Sequence, residues 1–298
     1  MQRGACNNPE PGTRNGERRT QMLVSVVIPA YNRGAMLRRA VGSVLDQTHS
    51  RLEVILVDDG STDKSVSEIE GWTDARLRIH RQERQGVSAA RNAGIALAKG
   101  ERIALLDSDD EWMPDKLERH LDFQEGSGFV VSQCEETWIR HGRRVNPGLK
   151  HRKRAGWIFE ASLDLCLVSP SCVMFTRSFW DSVGPFRTDL PACEDYDLWL
   201  RAGLRYPFGL LPEGLVRKYG GHSDQLSRKI IGLDLYRIYS LLDILRRESL
   251  SGRQRRLVRE NLSLRVRRYA QGCLKRDKPE EAERVSRLVA EIGESVNQ

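Results

Sequence analysis

The sequence predicts an α/β fold in which helices flank a mostly parallel sheet, and its apolar runs are the first evidence. Four runs indicate strands, at residues 25–32, 53–57, 77–79 and 102–106. The two clearest runs are continuous rather than alternating, which is typical of strands buried on both faces of a parallel sheet. We therefore expect these strands to form the centre of the molecule.

Helical segments separate the predicted strands. Residues 34–47 place their apolar side chains on one stripe, residues 66–72 indicate a shorter helix, and residues 86–98 form a helix rich in small side chains. This alternation predicts right-handed strand–helix–strand units in one sheet.

Polar residues follow three of the predicted strands directly. Tyr31 and Asn32 end the first strand, Asp58 and Asp59 follow the second, and 107–110 follow the fourth. In open α/β sheets, ligands bind beyond the carboxyl ends of the strands. The topology therefore predicts a ligand site at this edge of the sheet.

Asp107, Asp109 and Asp110 place three carboxylates within four residues. Their mutual repulsion is relieved when a divalent cation, itself bound to phosphates, supplies positive charge. Hard oxygen ligands of this kind suit Mg²⁺ or Mn²⁺. Taken alone, the motif also fits a loop of solvated acids, and the other motifs are what favour a metal.

Five motifs in order resemble those of the family 2 glycosyltransferases of the GT-A fold, over about residues 22–225. They are VVIPAYN at 26–32, VDDGSTD at 57–63, ARNAG at 90–94, LDSDD at 106–110 and CEDYDLWLR at 193–201. The resemblance implies a metal-dependent, inverting enzyme that uses Mn²⁺ or Mg²⁺. Such an enzyme moves one sugar from a nucleoside-diphosphate sugar, here expected to be UDP-linked, to a hydroxyl of a carbohydrate or lipid-linked acceptor. Its expected role is polysaccharide, glycolipid or cell-envelope glycan synthesis.

The resemblance implies that Pro29, Ala30 and Tyr31 line the pocket for the base, with the Tyr31 ring against a uracil-like face. An aromatic stack of this kind contributes ~1–3 kcal/mol. An ordinary aromatic side chain at a strand end is the alternative for Tyr31. Asp59 matches the position that accepts a hydrogen bond from the base edge, whereas Asp58 is expected to order the loop.

Asp107 and Asp109 match the DXD-type pair that contacts ribose and metal, with Ser108 between them in the nucleotide-sugar site. Asp110 is close enough to share either task, and the choice of direct metal ligand stays open. Arg91 lies on the predicted helix at 86–98, which leads to the strand at 102–106. Two compatible roles are open for it, holding a phosphate of the donor or pairing with the aspartates.

Glu194 and Asp195 lie in the fifth motif, and the Asp matching Asp195 acts as general base in the family, with Glu194 in support. An inverting transfer needs a carboxylate opposite the leaving diphosphate, which takes the proton of the acceptor hydroxyl. A metal ion would neutralise charge on the departing diphosphate. The alternative is an exposed first helical turn, where acids are favoured by the helix dipole.

His222 is a further candidate ligand of the metal or a phosphate, and an ordinary surface histidine is the alternative. The other five histidines show no ligand spacing, and we interpret them as surface or structural residues. The six cysteines are scattered without a paired spacing, so neither a zinc site nor a disulfide framework is expected.

Length and composition indicate an α/β domain with an appended helical part. We expect a disordered tail at 1–21, a GT-A domain composed of a nucleotide-binding half at 22–125 and an acceptor half at 126–226, and a basic helical extension at 227–298. No apolar run approaches the ~20 residues of a membrane span, and the start of the chain lacks the apolar stretch of a signal peptide. A cytoplasmic location is expected, with peripheral contact at the inner face of the membrane as an option.

The extension is where the positive charge concentrates, since residues 228–268 contain 12 Lys and Arg against 4 acids. Two interpretations are open. Such a surface can lie on anionic lipid, at about 1 kcal/mol per basic residue, or it can be a helical cap with a solvated Arg face. A nucleic-acid partner is not expected, because the segment has no aromatic interleaving or recognition motif.

Other functions fit the motifs less well. A nucleotidyltransferase would need a Gly-rich loop after the first strand, and a dinucleotide-dependent oxidoreductase would need GxGxxG there. The intact acids in VDDGSTD, LDSDD and CEDYDLWLR argue against a non-catalytic sugar-nucleotide-binding protein. A processive synthase of the family would carry Gln-x-x-Arg-Trp, whereas residues 225–229 lack the Trp. The motifs therefore favour transfer of a single sugar, while donor sugar, acceptor and linkage stay open.

Overall fold

The computed structural model describes residues 21–146, 148–221 and 230–295, with side chains up to residue 288. Within these ranges nine strands form one sheet in the order β3-β2-β1-β4-β8-β6-β9-β5, with β7 paired to β6. The strands are β1 Val24–Ala30, β2 Leu52–Asp58, β3 Leu77–Arg81, β4 Arg102–Leu105, β5 Glu111–Trp112, β6 Val131–Arg140, β7 Arg143–Val145, β8 Val173–Thr176 and β9 Gly209–Gly220.

Ten helices accompany the sheet in the described part of the chain. They are α1 Ala35–Leu45, α2 Ser67–Glu70, α3 Val87–Leu97, α4 Lys116–Ser127, α5 Phe159–Ser162, α6 Arg177–Val183, α7 Glu194–Arg205, α8 Asp234–Arg247, α9 Gly252–Leu274 and α10 Pro279–Ser295. The prediction of an α/β fold with helices on both faces is confirmed.

The N-terminal half of the sheet is parallel, as the apolar runs predict. β1 pairs in parallel with β2 and β4, and β2 pairs in parallel with β3. Every residue of β1 and β2 is buried. Because both faces of these strands are covered by helices, their sequences carry no alternation of polar and apolar side chains.

The other half of the sheet is mixed, a feature that the sequence analysis does not contain. β8 runs antiparallel to both β4 and β6, whereas β6 and β9 are parallel to each other and β9 is antiparallel to β5. This half forms the floor of the region that was expected to receive the acceptor.

Separate apolar cores cover the two faces of the sheet. On one face, Leu37 and Val41 of α1 and Leu117 of α4 pack against alternate residues of β1 and β2. On the other, Ala90 of α3 and Trp199 of α7 belong to the second core. The sheet is thereby held rigidly between helices that also position the loops at its carboxyl edge.

A third core joins the C-terminal helices to the rest of the protein. Leu241 of α8 and Leu262 of α9 pack with Phe159, Tyr196 and Leu200 of α5 and α7. The described part of the predicted extension is helical, while its proposed boundary at residue 227 stays a prediction. The expected disordered tail lies outside the described residues, except for residue 21.

Several basic residues of these helices have partners in the fold. Arg265 is 2% exposed and donates to the carbonyl oxygens of Leu163 and Asp164, both at 2.7 Å. Arg253 forms an ion pair with Glu160, and Arg237 lies 3.2 Å from Asp234. The contacts of Arg253 and Arg265 join α9 to residues 160–164, and contact with a membrane stays a prediction. Among the helices that the structure describes, none has both the length and the apolar character needed to cross a membrane.

Candidate active site

A cleft of about 730 Å³ opens at the carboxyl ends of β1, β2 and β4, where the topology predicts a ligand site. It brings together most of the predicted site residues: Pro29, Tyr31, Asp59, Arg91, Asp107, Ser108, Asp109, Asp110, Glu194 and Asp195. Ala30 does not line it. That residue is 2% exposed, and its carbonyl oxygen accepts a hydrogen bond from the Asp59 N–H at 2.8 Å.

The end of the cleft beside β1 carries the residues of the expected base pocket. The Arg84 guanidinium lies 4.0 Å from the centre of the Tyr31 ring. Tyr31 is therefore held at the cleft wall by a cation–π contact. Arg84 was not identified from the sequence, since no motif marks it and only the fold brings it to this ring.

Asp59 organises the loop that precedes α3. Its carboxylate accepts hydrogen bonds from the Gln82 side chain at 2.7 Å and from the N–H groups of Gln85 and Gly86, each at 2.8 Å. The residue is 4% exposed. Its observed role is thus to hold the 82–86 segment against β2, and a contact to the base edge stays a prediction.

Arg91 links two of the predicted acids across the cleft floor. Its Nη2 donates to Asp107 Oδ1 at 2.7 Å and its Nη1 donates to Glu194 Oε1 at 2.6 Å. Burial opposes the charge of Arg91, but the two carboxylates outweigh it and raise its pKa. The expected pairing with the acid cluster is present, and a phosphate contact stays a prediction.

Glu194 is buried rather than exposed, at 5% accessibility. Burial raises the pKa of its carboxyl group and the neighbouring Asp195 adds to this, although Arg91 works in the opposite direction. Breaking such a buried pair would leave one charge uncompensated. Glu194 therefore positions Arg91 and, through it, Asp107.

Asp110 ties the acidic loop to the second half of the sheet. Its Oδ2 accepts from Ser171 Oγ at 2.6 Å and its Oδ1 accepts from the Tyr219 N–H at 3.0 Å. Burial, followed by repulsion from Asp109, raises the pKa of Asp110. Both oxygens are engaged by the protein, so Asp107 and Asp109 are the better carboxylates for the predicted metal.

The residues that face the cleft fit a cation that is shared with a ligand. Among the described side chains, no group of three or more His, Cys, Asp or Glu is arranged to hold a metal by itself. Asp107 and Asp109 both line the cleft, and Mg²⁺ typically binds one or two carboxylates together with substrate phosphates. His222, the remaining candidate ligand, lies outside the described residues.

Asp195 lies in the first turn of α7, on the wall between this cleft and a second one of about 430 Å³. Its Oδ1 accepts from the Tyr196 N–H at 2.7 Å and its Oδ2 lies 3.5 Å from Cys166 Sγ. The expected alternative of an acidic first helical turn is also present, because Glu194, Asp195 and Asp197 all lie there. A carboxylate between two clefts can serve a reaction that joins two ligands.

The sequence analysis missed several residues that shape the site. Ser171 accepts from the Asp107 N–H at 3.1 Å as well as donating to Asp110. Lys218, on β9, lines both clefts. Leu233 and Arg237 from the predicted extension line the larger cleft. These residues are distant from the motifs in sequence, and no local pattern marks them.

Comparison with solved structures shows a shared fold. S. aureus TarS in complex with UDP-GlcNAc superposes with a TM-score of 0.68 at 20% identity, over 81% of this chain and 72% of that chain. The mannosyltransferase PcManGT from Pyrobaculum calidifontis, in complex with GDP-Man and Mn²⁺, gives a TM-score of 0.60 at 17% identity, over 90% of this chain and 74% of that chain. The predicted GT-A-type fold is thereby confirmed.

Sequence comparison reaches relatives at higher identity. An uncharacterized glycosyltransferase of Rickettsia felis is 34% identical over 202 residues, which are 66% of this chain and 33% of the relative. The putative teichuronic acid biosynthesis glycosyltransferase TuaG of Bacillus subtilis is 43% identical over 104 residues, 34% of this chain and 41% of that protein. The match thus spans about a third of the Rickettsia felis relative. The family profile described as glycosyl transferase family 2 matches residues 25–182, more than half of the chain. This match shows that the chain belongs to glycosyl transferase family 2, and the fold agrees with it.

Proposed function

We propose that the protein is a metal-dependent, inverting glycosyltransferase that moves one sugar from a nucleoside-diphosphate sugar, most simply a UDP-sugar, to an acceptor hydroxyl. The observation that carries this proposal is the position of Asp195 between two clefts. The larger cleft also holds Tyr31 and the Asp107–Asp109 pair. One cleft then receives the donor, and the other receives the acceptor.

The donor would bind along the edge of the sheet. Tyr31 and Arg84 would hold the base, while Asp107 and Asp109 would hold Mn²⁺ or Mg²⁺ together with the diphosphate. When bound, the cation supplies positive charge that stabilises the leaving diphosphate. Arg91 keeps Asp107 in place through the 2.7 Å ion pair, so the carboxylate need not reorganise when the donor enters.

Asp195 would act as the general base. It accepts the proton of the acceptor hydroxyl while the new bond from this oxygen to the sugar C1 forms. The bond from C1 to the diphosphate oxygen breaks on the opposite face, so the configuration at C1 inverts. Positioned proton transfer of this kind typically contributes ~10²–10⁴ in rate.

Glycan synthesis is the biological role that we propose. TuaG, named for teichuronic acid biosynthesis, supports it, as does a chondroitin synthase of Pasteurella multocida that is 33% identical over 184 residues, 60% of this chain and 18% of that protein. A cytoplasmic location belongs to the same proposal.

Calorimetric titration of the full chain with uridine and UDP tests the donor side. We expect UDP to bind about tenfold more tightly with Mn²⁺ than with EDTA, and uridine to bind equally in both, because only the diphosphate shares the cation. Asp109→Asn should remove most of the difference, whereas Asp181→Asn, at an exposed position on α6, should keep it. Equal UDP affinity in the two buffers would contradict the metal assignment. Release of UDP from a panel of UDP-sugars would then identify the donor.

A further inference from the structure

A basic surface lies next to the second cleft, in the part of the chain that runs from the end of β6 through β7. Residues 137–159 contain seven Lys and Arg and no Asp or Glu. Most of these basic side chains are exposed: Arg140, Arg143, Arg144, Lys150, Arg152 and Arg154. None of the six takes part in an ion pair shorter than 4.0 Å with another described residue. This basic segment is separate from the one at residues 228–268 in the C-terminal helices.

The same segment supplies one wall of the second cleft. The Trp138 and His151 rings lie 5.1 Å apart, and the Arg140 guanidinium lies 5.5 Å from the Trp138 ring. All three residues line the cleft. Flat aromatic faces with polar groups at their edges suit a sugar ring, which presents both C–H and hydroxyl groups.

Two ammonium groups that share one carboxylate also line the cleft. Lys153 Nζ lies 3.2 Å from Glu136 Oε2, and Lys218 Nζ lies 4.0 Å from Glu136 Oε1. Burial disfavours the charged form of Glu136, but Lys218 and Lys153 outweigh this effect and hold the pKa of Glu136 below its usual range. Lys218 also donates to Ser169 Oγ at 3.0 Å. The charged residues that line the cleft are Arg140, Lys153, Lys218, Glu136 and Asp195, and together they leave one positive charge in excess.

We propose that the acceptor is an anionic saccharide, one that bears carboxylate or phosphate groups. Its terminal sugar occupies the cleft beside Asp195, and the following units lie on the basic surface of residues 137–159. This inference rests on the proposed function, since it identifies the acceptor class of that reaction.

Charge and shape together favour a glycan chain over a lipid bilayer. The basic surface is continuous with the cleft, because Arg140 is exposed on this surface and also lines the cleft. A cleft of about 430 Å³ admits a sugar unit, whereas a bilayer surface would contact only the outer residues. Charges spread along an extended surface attract a polyanion at long range and are screened by salt within ~10 Å at 0.1 M.

Binding of labelled oligosaccharides to the full chain tests the inference by fluorescence anisotropy. The probes are a hyaluronan hexasaccharide, which carries carboxylates, a glycerol-phosphate hexamer, which carries phosphates, and a chitin hexasaccharide, which is neutral. We expect at least one anionic probe to bind about tenfold more tightly than chitin at low salt, and to lose this advantage at ~0.5 M salt. The two anionic probes distinguish a carboxylate from a phosphate acceptor.

Substitutions at exposed positions locate the surface without changing Lys153 or Lys218. Arg140→Gln and the double variant Arg143→Gln/Arg144→Gln should each weaken anionic binding about threefold to tenfold and leave chitin binding unchanged. Arg256→Gln, at an exposed position on α9, is the matched control and should change neither.

The inference would be overturned if chitin and both anionic probes bound equally tightly. It would also be overturned if Arg256→Gln weakened anionic binding as much as the Arg140 and Arg143/Arg144 variants do. A third contrary result is binding to vesicles of phosphatidylcholine and phosphatidylglycerol without binding to any oligosaccharide. UDP titration of the same preparations distinguishes a wrong acceptor class from failure of the proposed function. If UDP binds with Mn²⁺ while the anionic probes show no preference, the transferase proposal stands and the acceptor class is wrong.

Discussion

Among the described residues, the hydrogen-bond partners of the Asp195 carboxylate are the Tyr196 N–H and the Cys166 thiol, and Asp195 lines both clefts. We therefore predict that Asp195→Asn abolishes transfer while donor affinity stays nearly unchanged. Asn keeps the shape of Asp but cannot take the proton, so the loss belongs to turnover, by about 10²-fold or more. Single-turnover kinetics and UDP calorimetry measure the two quantities.

Asp181→Asn provides the matched control and should keep normal turnover. Proton NMR of the product checks the geometry of the same step, since an α-linked donor should give a β-linked product. Retention of the α configuration, or turnover of Asp195→Asn close to that of the wild type, would remove Asp195 from the role of base.

Lys116, at the start of α4, is an unusual buried charge. It is 0% exposed, its Nζ lies 3.8 Å from the Trp112 ring, and this atom has no hydrogen bond to the described residues. Burial lowers its pKa to about 8, in spite of the nearby thiols of Cys134 and Cys172, which raise it. In the unfolded chain the pKa of this lysine is 10.5. Between pH 8 and 10.5 the lysine is therefore protonated in the unfolded chain but mostly neutral in the folded protein, so the free energy of unfolding rises with pH in this window.

We predict that Lys116→Met raises the free energy of unfolding at pH 7 by up to about 3 kcal/mol, because the folded state no longer carries a desolvated ammonium. The gain should shrink as the pH rises from 8 towards 10, where the wild type has lost its proton. Urea denaturation across this range measures both effects. Lys99→Met, at an exposed position, should show no such pH dependence, and a gain that is constant from pH 7 to 10 would contradict the assignment.

At the scale of elements, α3 packs unusually close to the sheet at Gly94. A methyl group there would collide with Val27 and would come within 3.0 Å of Val57. Ala normally favours a helix over Gly by ~1 kcal/mol, but overpacking at this contact should outweigh that gain. We predict that Gly94→Ala lowers the free energy of unfolding by about 1–3 kcal/mol, measured by urea denaturation.

Gly126 on α4 offers the opposite case for comparison. Apart from the glycine's chain neighbours and the nearby backbone of α4 itself, no atom of the described residues lies within 4 Å of a methyl group placed at this position. Gly126→Ala should therefore be neutral or stabilise by up to ~1 kcal/mol. If both variants behaved alike, helix propensity rather than the contact between α3 and the sheet would govern this packing.

At the scale of the whole molecule, the third core makes α8 and α9 part of the same folding unit as α7. All six Trp residues precede α8 in the sequence, so Trp fluorescence reports on the sheet-containing part alone. We predict that its thermal transition coincides with that of far-ultraviolet circular dichroism, which also reports on the C-terminal helices. Two separate transitions would show that the extension unfolds independently.

A substitution within the third core should move both transitions together. Leu241 is fully buried, and Leu241→Ala should lower the free energy of unfolding by about 2–5 kcal/mol in both signals. Leu274→Ala, at a side chain that is 60% exposed, should shift neither by a comparable amount.

The sequence was sufficient wherever a property depends on local pattern. β1, β2 and β4 are recognisable because strands buried on both faces must be continuously apolar, and the acids at 107–110 are recognisable because they follow such a strand directly. The arrangement beyond β4 was not predictable in this way. β8 is a strand of only four residues, and its antiparallel pairing with β4 and β6 depends on partners far away in the sequence.

The sequence by itself determined the parallel half of the sheet, the family resemblance and the positions of Asp59, Asp107 and Asp109 directly after strands that end at one edge. Periodicity and motif order carry that information because each arises from neighbouring residues. Only the tertiary structure decided which acid is buried, which faces a ligand and which side chain reaches it from a distant element. The Asp110 carboxylate accepts a hydrogen bond from Ser171, and the Glu194 carboxylate is paired with Arg91. Burial and pairing across more than 60 residues of chain are properties of packing, and no local pattern encodes them.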